Sequence, residues 1–563
     1  MNFEKFHSLQ NYIFHTKRPK ILLPIFILII PTFFLYYPYL SNALIFDDYN
    51  IFNGNPSIYD YALTPFNGSP RTFPLFTLGF VETIWHSIEI HRCISLVLHI
   101  LNSVLIFRIL QELPAWGKYA PRHDQMFISL TASLFFALHP AATYGAAYLA
   151  QRTILIATLF SLLAFYFFLR GLNRGAISDS ITAAVFYTLA VFSKEHAIML
   201  PAAILPCILL YPAPRRKFMA NALTFAIPCA LSGTYIILRM KGLIGAYEPL
   251  GENSAATITA DPKILTLANS LGFIKPSSFH WFLSITQEAG LFFHYLTAWL
   301  LPNPNTMSID IRIDFLSEAK LSMMCIKIGA FIAFTVSALL ILWRGTWSKA
   351  VGLGMLYMAL MYLTEFSGQR LQEPFVLYRS YLWAPGIAIS LAAILAILPI
   401  KKHHIPIALT AAAFLFIASQ DRLESMHTSK SAWEDAEKKL TSTDLPGSER
   451  IYYNIALNQL KDHNFEKAIQ NFSIAIDKQP NLAKLHKQRG YAFYSNKNYE
   501  KALSDFSHEL TISPNDAETF FAIGLTQKTL GNSQEAHTAF EKSSELGYQA
   551  ATLFLPQKPI YKK

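Results

Sequence analysis

ILLPIFILIIPTFFLYYPYLSNALIFDDYN, residues 21–50, sets twenty consecutive residues without a charge ahead of two adjacent carboxylates, Asp47 and Asp48. An apolar run of about 20 residues matches the hydrocarbon core of a bilayer, roughly 30 Å at 1.5 Å per helical residue. The stretch therefore reads as a transmembrane helix that delivers a double negative charge to the membrane edge. Ionised groups are costly there and mark functional candidates. Lys17, Arg18 and Lys20 precede the run and no small-residue cleavage site follows it, so it reads as a retained helix and not a signal peptide.

The pattern recurs. The 563 residues are 52% apolar and 15% charged, against about 25% charged in ordinary soluble domains. The deficit belongs to residues 20–420, where apolar runs alternate with short basic blocks such as Arg170 with Arg174, Arg215–Lys217 and Lys401–Lys402. Basic blocks of this kind mark cytoplasmic loops. The net charge of +10 is thus accounted for without nucleic acid, and no basic patch interleaves with aromatics in the polar region. Cys93, Cys207, Cys229 and Cys325 lie in or beside apolar segments without a CxxC pair, which offers neither a disulfide framework nor a zinc site. About eleven spans fit, near 21–40, 93–112, 126–144, 153–170, 177–193, 197–212, 218–238, 322–343, 348–364, 379–399 and 405–420. The short apolar piece 289–301 reads as an interfacial helix. With the N-terminus inside, residues 41–92, 240–320 and everything after 420 face outward.

From residue 449 the sequence repeats every 34 residues. Ala456, Ala468, Phe472, Ala475 and Pro480 in one unit align with Gly490, Ala502, Phe506 and Pro514 in the next, and with Gly524, Ala536 and Phe540 in the third. Small residues where helices cross, with an aromatic plug between neighbours, make a tetratricopeptide array. The reading is an all-α chain: a membrane domain over 1–420, a linker and capping helix around Trp433 over 421–448, and repeats over 449–482, 483–516 and 517–550 within a 449–563 domain. Such arrays bind extended peptides or partner proteins in a concave groove.

Polar residues from several loops gather on the outward side. They are Arg71 in SPRTFPLF, His139 and Arg152 in LHPAATYGAAYLAQRT, and Lys194 with Glu195 in FSKEHAIMLP. Gln287 in ITQ, Asp310 in SID, and Arg379 with Tyr381 in LYRSYLWAPG complete the set. In this order the motifs resemble the GT-C glycosyltransferases, which use sugars carried on polyprenyl phosphate. Among them the chain is similar to the transmembrane and tetratricopeptide-containing protein O-mannosyltransferases and their bacterial relatives. Tyr378 stands where that family's late motif has an acidic residue before the arginine.

The resemblance implies inverting transfer of a sugar from a polyprenyl-phosphate donor to a hydroxyl of a secreted or cell-surface protein at the external face. Asp47 would be the general base and Asp48 would orient it or the acceptor. Arg379, Arg152, Arg71 and Lys194 would hold the donor phosphate, with Glu195, His139, Gln287, Asp310 and Tyr381 in support. His139, just before Pro140, reads on its own as a helix cap. The resemblance also allows a divalent cation, Mg2+ or Mn2+, at the aspartate pair. The sequence places no third carboxylate to complete a shell, so no metal ligand is assigned. Three repeats, fewer than in eukaryotic members, point to a bacterial protein, and the topology then implies an inner-membrane chain with the repeats in the periplasm. A glycolipid or polysaccharide acceptor is the alternative within the same chemistry. A transporter would need mid-span charges and inverted repeats, and a mere scaffold would need only one span.

Overall fold

The computed structural model describes residues 22–52, 55–114, 122–212, 215–240, 266, 268–272, 276–314, 320–345, 348–368, 370, 375–397 and 404–555. Lys17, Arg18, Lys20, Lys401, Lys402 and most of the 240–275 stretch lie outside the described residues. Among the described residues there are helices and no strands.

Among the described residues six helices are long and apolar enough to cross a membrane: Leu22–Tyr39, Ile88–Glu112, Leu149–Arg174, Met219–Arg239, Leu321–Arg344 and Lys349–Ser367. A seventh span is made if Asp124–Ala137 and Pro140–Ala146, bent by 62° at the His139–Pro140 junction, count as one. Pro140 has no amide hydrogen to continue the first helix, and its fixed φ suits the first turn of a new one. Six or seven is fewer than the eleven expected. Ile177–Ser193 has 17 residues and Pro385–Leu395 has 11. The stretch 195–210 is broken into 3-10 and α turns, with Pro201 and Pro206 just inside two of them.

A second correction concerns 289–301. It is not a separate interfacial piece but the C-terminal half of a continuous 25-residue helix, Pro276–Leu300.

The helical bundle is apolar on its outer surface and holds a set of buried polar and charged groups within an apolar core. Ile326, Ile332, Val336, Leu339 and Trp343 on one helix, and Leu223, Ile227, Leu231 and Leu238 on another, are exposed. His99, Asn102, Glu288, Glu365 and Arg379 are buried. Exposed apolar area on this scale needs a covering phase, which lipid supplies.

After the helix His404–Ser425, a capping box at Thr428 and Ser431 starts the helix Ser429–Lys438. Three helical hairpins follow: Glu449–Lys461 with Phe465–Lys478, Leu485–Ser495 with Tyr499–Ile512, and Ala517–Thr529 with Ser533–Glu545. The small positions of the repeat are sterically required. A Cβ on Gly490 would come within 2.6 Å of the Phe506 ring, and one on Gly524 within 2.6 Å of Phe540.

Candidate functional site

The α-helix of the first span ends at Tyr36, a 3-10 turn covers Tyr37–Tyr39, and an irregular stretch over 40–46 then leads to the aspartates. Arg92 anchors this run. Its Nη2 donates to the carbonyls of Asn42 (2.9 Å) and Ala43 (2.7 Å), and its Nη1 to that of Ala147 (2.8 Å). The two carboxylates then part company. Asp48 opens the short helix Asp48–Phe52 and is fully buried. Its Oδ1 accepts from the Ala150 amide at 2.8 Å and its Oδ2 from the Ile45 amide at 3.4 Å. Burial pushes its pKa up to about 7, against the lowering influence of those amides and of Arg92.

Asp47 is exposed. Its Oδ2 accepts from the Tyr148 hydroxyl at 2.9 Å, and that hydroxyl accepts from the Asp47 amide at 3.0 Å. Asp47 and Tyr148 line a cavity of about 10 Å³ with Phe46, Tyr144, Ile309 and Tyr378. That is room for about one water or one hydroxyl group.

Tyr378 connects this cavity to a cluster of cations. Its ring lies 5.9 Å from that of Tyr148, and its hydroxyl is within electrostatic reach of Arg71. Arg71 grips Glu195, through Nε at 3.0 Å and through a second, shorter contact from Nη2. Lys194 follows in an extended conformation that ends the helix Ile177–Ser193. Burial first, and then Arg71, hold its ammonium down at about 8. Deeper in, Glu365 is shared by Arg370 (3.2 Å), His196 (3.5 Å) and Arg379 (3.8 Å). Arg370 also reaches the ring of His196 at 3.0 Å. Glu288 lies behind, accepting from the Tyr362 hydroxyl at 2.8 Å. Among the described residues, Arg71, Lys194, Arg370 and Arg379 face Glu195, Glu288 and Glu365.

The other residues singled out in the sequence sit elsewhere. Arg152 is fully buried and donates to the carbonyls of Thr77 (3.3 Å) and His91 (2.8 Å) and to His91 Nδ1 (3.1 Å). This places it behind Asp48 and outside the cation cluster. His139 caps the helix Pro140–Ala146, accepting from the Ala141 amide, and stacks on Trp299 at 4.2 Å. Gln287 accepts from Lys327 Nζ at 2.8 Å. The hydroxyl of Tyr381 lies 2.6 Å from His99 Nδ1, and its ring fills the space over Gly145. Asp310 is clamped by Arg312, whose Nη2 donates at 2.6 Å, and lies 3.6 Å from Arg450 Nε.

Glu365, Arg370, Arg92 and Arg450 are not singled out by the sequence, and Tyr148 and His196 stand there only as positions of the YLAQRT and SKEHAIMLP motifs with no role assigned. Glu365 carried a signal, being an ionised residue closing the apolar run VGLGMLYMALMYLTE. It also supplies the acidic partner of Arg379 that Tyr378 does not.

Among the described residues no group of three or more His, Cys, Asp or Glu side chains is placed to hold a metal ion. The aspartate pair offers two carboxylates, of which Asp48 also accepts from two backbone amides.

Together these features define a helical membrane protein with an exposed carboxylate beside a cation-rich cluster, next to a domain of helical hairpins. No family model and no curated protein matches the chain. Among solved structures it is similar to MamA AMB-1, with 15% identity over 38% of this chain and 97% of that one and a TM-score of 0.19. It is also similar to the archaeal oligosaccharyltransferase AglB from Archaeoglobus fulgidus, in complex with an inhibitory peptide and a dolichol-phosphate: 12% identity, 79% of this chain, TM-score 0.35. The chain spans 59% of the length of that AglB chain. The third is the APC/C hetero-tetramer Cut9-Hcn1, with 12% identity, 93% of this chain, 97% of that chain and a TM-score of 0.23. At TM-scores this low the likenesses carry no argument about chemistry.

Proposed function

We propose that the chain is a membrane glycosyltransferase that moves a sugar from a polyprenyl-phosphate donor to an acceptor hydroxyl. One observation carries the reading: exposed Asp47 lines a hydroxyl-sized cavity whose Tyr378 wall leads to Arg71, Lys194 and Arg379. The motif order of the sequence points the same way.

In the reaction the acceptor oxygen attacks the anomeric carbon and its proton passes to Asp47. The bond between that carbon and the phosphate oxygen breaks, and the electron pair leaves with the lipid phosphate. Lys194, Arg379 and Arg370 stabilise the charge that develops, an electrostatic contribution larger in the transition state than in the bound donor. Asp48 stays fastened to the Ala150 and Ile45 amides and fixes the turn. Arg152, with Nη1 and Nη2 engaged by the carbonyls of Thr77 and His91 and by the His91 ring, supports that turn from behind instead of touching phosphate.

The finer reading takes a hydroxyl of a secreted or cell-surface protein as acceptor, with the helical hairpins presenting it. It places the site on the outer face of a bacterial inner membrane. Glycoproteomics of the host with and without the gene tests this. Loss of one class of O-linked sugar from surface proteins supports it, and an unchanged glycoproteome contradicts it.

A further inference from the structure

Phe46, the residue before Asp47, has a φ of 53°. A bulky side chain stays in this left-handed region only where its surroundings hold it. The holding groups come from the other end of the chain. The Phe46 ring stacks on Trp433 of the helix Ser429–Lys438, with centroids 4.8 Å apart and planes at 21°. The Arg450 guanidinium, on the first hairpin helix Glu449–Lys461, covers the ring at 4.1 Å.

Phe46 packs against the apolar cluster of Trp433, Ala436, Ile451 and Ile455, which is the start of the C-terminal domain's own core. Arg450 is fixed in turn by Asp310, and Arg312, which clamps Asp310, lies against the backbone of Gly447. Gly447 has a φ of 82°, and a Cβ there would overlap the guanidinium. Asp47 and Tyr148 both act electrostatically on Arg450.

We propose that the C-terminal helical domain is a working part of the site, with Arg450 and Trp433 clamping Phe46 and so positioning Asp47. Arg450 is a positioning residue, since it acts on the reaction through Phe46 and the turn. The hairpins then do more than tether an acceptor: docking of the first hairpin sets the geometry of the base. The kinetic consequence rests on the transferase reading, while the clamp itself does not.

The test uses the full chain in lipid nanodiscs, with Arg450→Met, Arg450→Lys and Phe46→Leu. Amide hydrogen exchange over residues 44–52 reads the clamp directly. Steady-state transfer from a polyprenyl-phosphate sugar to a short hydroxyl peptide reads its consequence. A desolvated cation–π contact has the strength that a change of roughly tenfold reports. Arg450→Met and Phe46→Leu should each speed exchange of the 44–52 turn roughly tenfold, with helices 465–545 unchanged. Both should lower kcat by a similar factor at unchanged donor KM, and Arg450→Lys, which keeps a cation for the ring and for Asp310, should restore most of it.

Unchanged exchange of the turn in both Arg450→Met and Phe46→Leu overturns the clamp. Exchange that rises evenly through 449–545 in both also overturns it, because the contact would then serve domain stability alone. If the wild type transfers no sugar, the transferase reading fails, and the exchange measurement still decides the clamp.

Discussion

Replacing Asp48 by Asn tests the division of labour between the two aspartates through the pH dependence of stability. The Asp48 carboxyl is raised from 3.8 to about 7 by burial, so the folded chain binds a proton at Asp48 more tightly than the unfolded chain does. Its contribution to stability is fully present below pH 3.8 and is lost as pH rises through about 7. With about 1.4 kcal/mol per pKa unit, most of this contribution, on the order of 2 kcal/mol, is lost between pH 4 and 6, and about 1 kcal/mol more by pH 8. Other groups titrate over the same range, so the measurement is a difference. Thermal unfolding of wild type and Asp48→Asn is followed from pH 4 to 8, and the two profiles are subtracted. Asn keeps an acceptor for the Ala150 amide but carries no charge, so the wild type should lose stability relative to the variant as pH rises. Parallel profiles would refute a buried Asp48 that titrates near neutrality. They would also remove the distinction between a fastened Asp48 and an available Asp47.

Further outcomes follow from single contacts. Tyr148→Phe removes both hydrogen bonds that its hydroxyl makes with Asp47, one to the carboxylate and one from the amide, and should slow transfer severalfold, up to about tenfold, with donor KM unchanged. A rise in donor KM instead would assign Tyr148 to the lipid phosphate. Glu365→Gln withdraws the carboxylate shared by Arg370, Arg379 and His196, which should cost about 3–5 kcal/mol, read as a lowered unfolding midpoint in detergent. Gly490→Ala pushes a methyl into Phe506 and should destabilise the hairpin domain by about 1–3 kcal/mol. Compartment reporters fused at residues 217 and 440 should report opposite sides of the membrane, and a cytoplasmic signal at 440 would reverse the orientation.

The sequence spoke most clearly where one physical requirement dominates a long window. The run 21–40 and the run ending at Arg344 declared themselves because nearly every residue meets lipid or apolar core. The helix Pro276–Leu300 was half hidden for the opposite reason. Its first half carries His280, Ser284, Thr286, Gln287 and Glu288, all buried against the protein, so polarity that faces inward read as a loop. The 34-residue period was legible because Gly490 and Gly524 are set by contact with Phe506 and Phe540.

Site residues were legible as far as charge at the end of an apolar run reaches: Asp47, Arg71, Lys194 and Arg379. Which of them face each other was not. Arg152 has the same sequence signature as Arg379, and only the carbonyls of Thr77 and His91 around it reveal that its two Nη groups are engaged away from the cation cluster. The contact of Phe46 with Trp433 and Arg450 joins segments far apart in the chain, and no local period encodes it.

The central claim is that Asp47 takes the acceptor's proton while the cation cluster receives the lipid phosphate. Its most direct test is release of polyprenyl phosphate by purified chain in nanodiscs, measured together with sugar gained by the acceptor, for wild type, Asp47→Asn and Asp48→Asn. The account predicts equal amounts of both products from the wild type, none from Asp47→Asn at unchanged donor binding, and reduced but measurable turnover from Asp48→Asn. Full turnover by Asp47→Asn, or turnover lost only in Asp48→Asn, would contradict it.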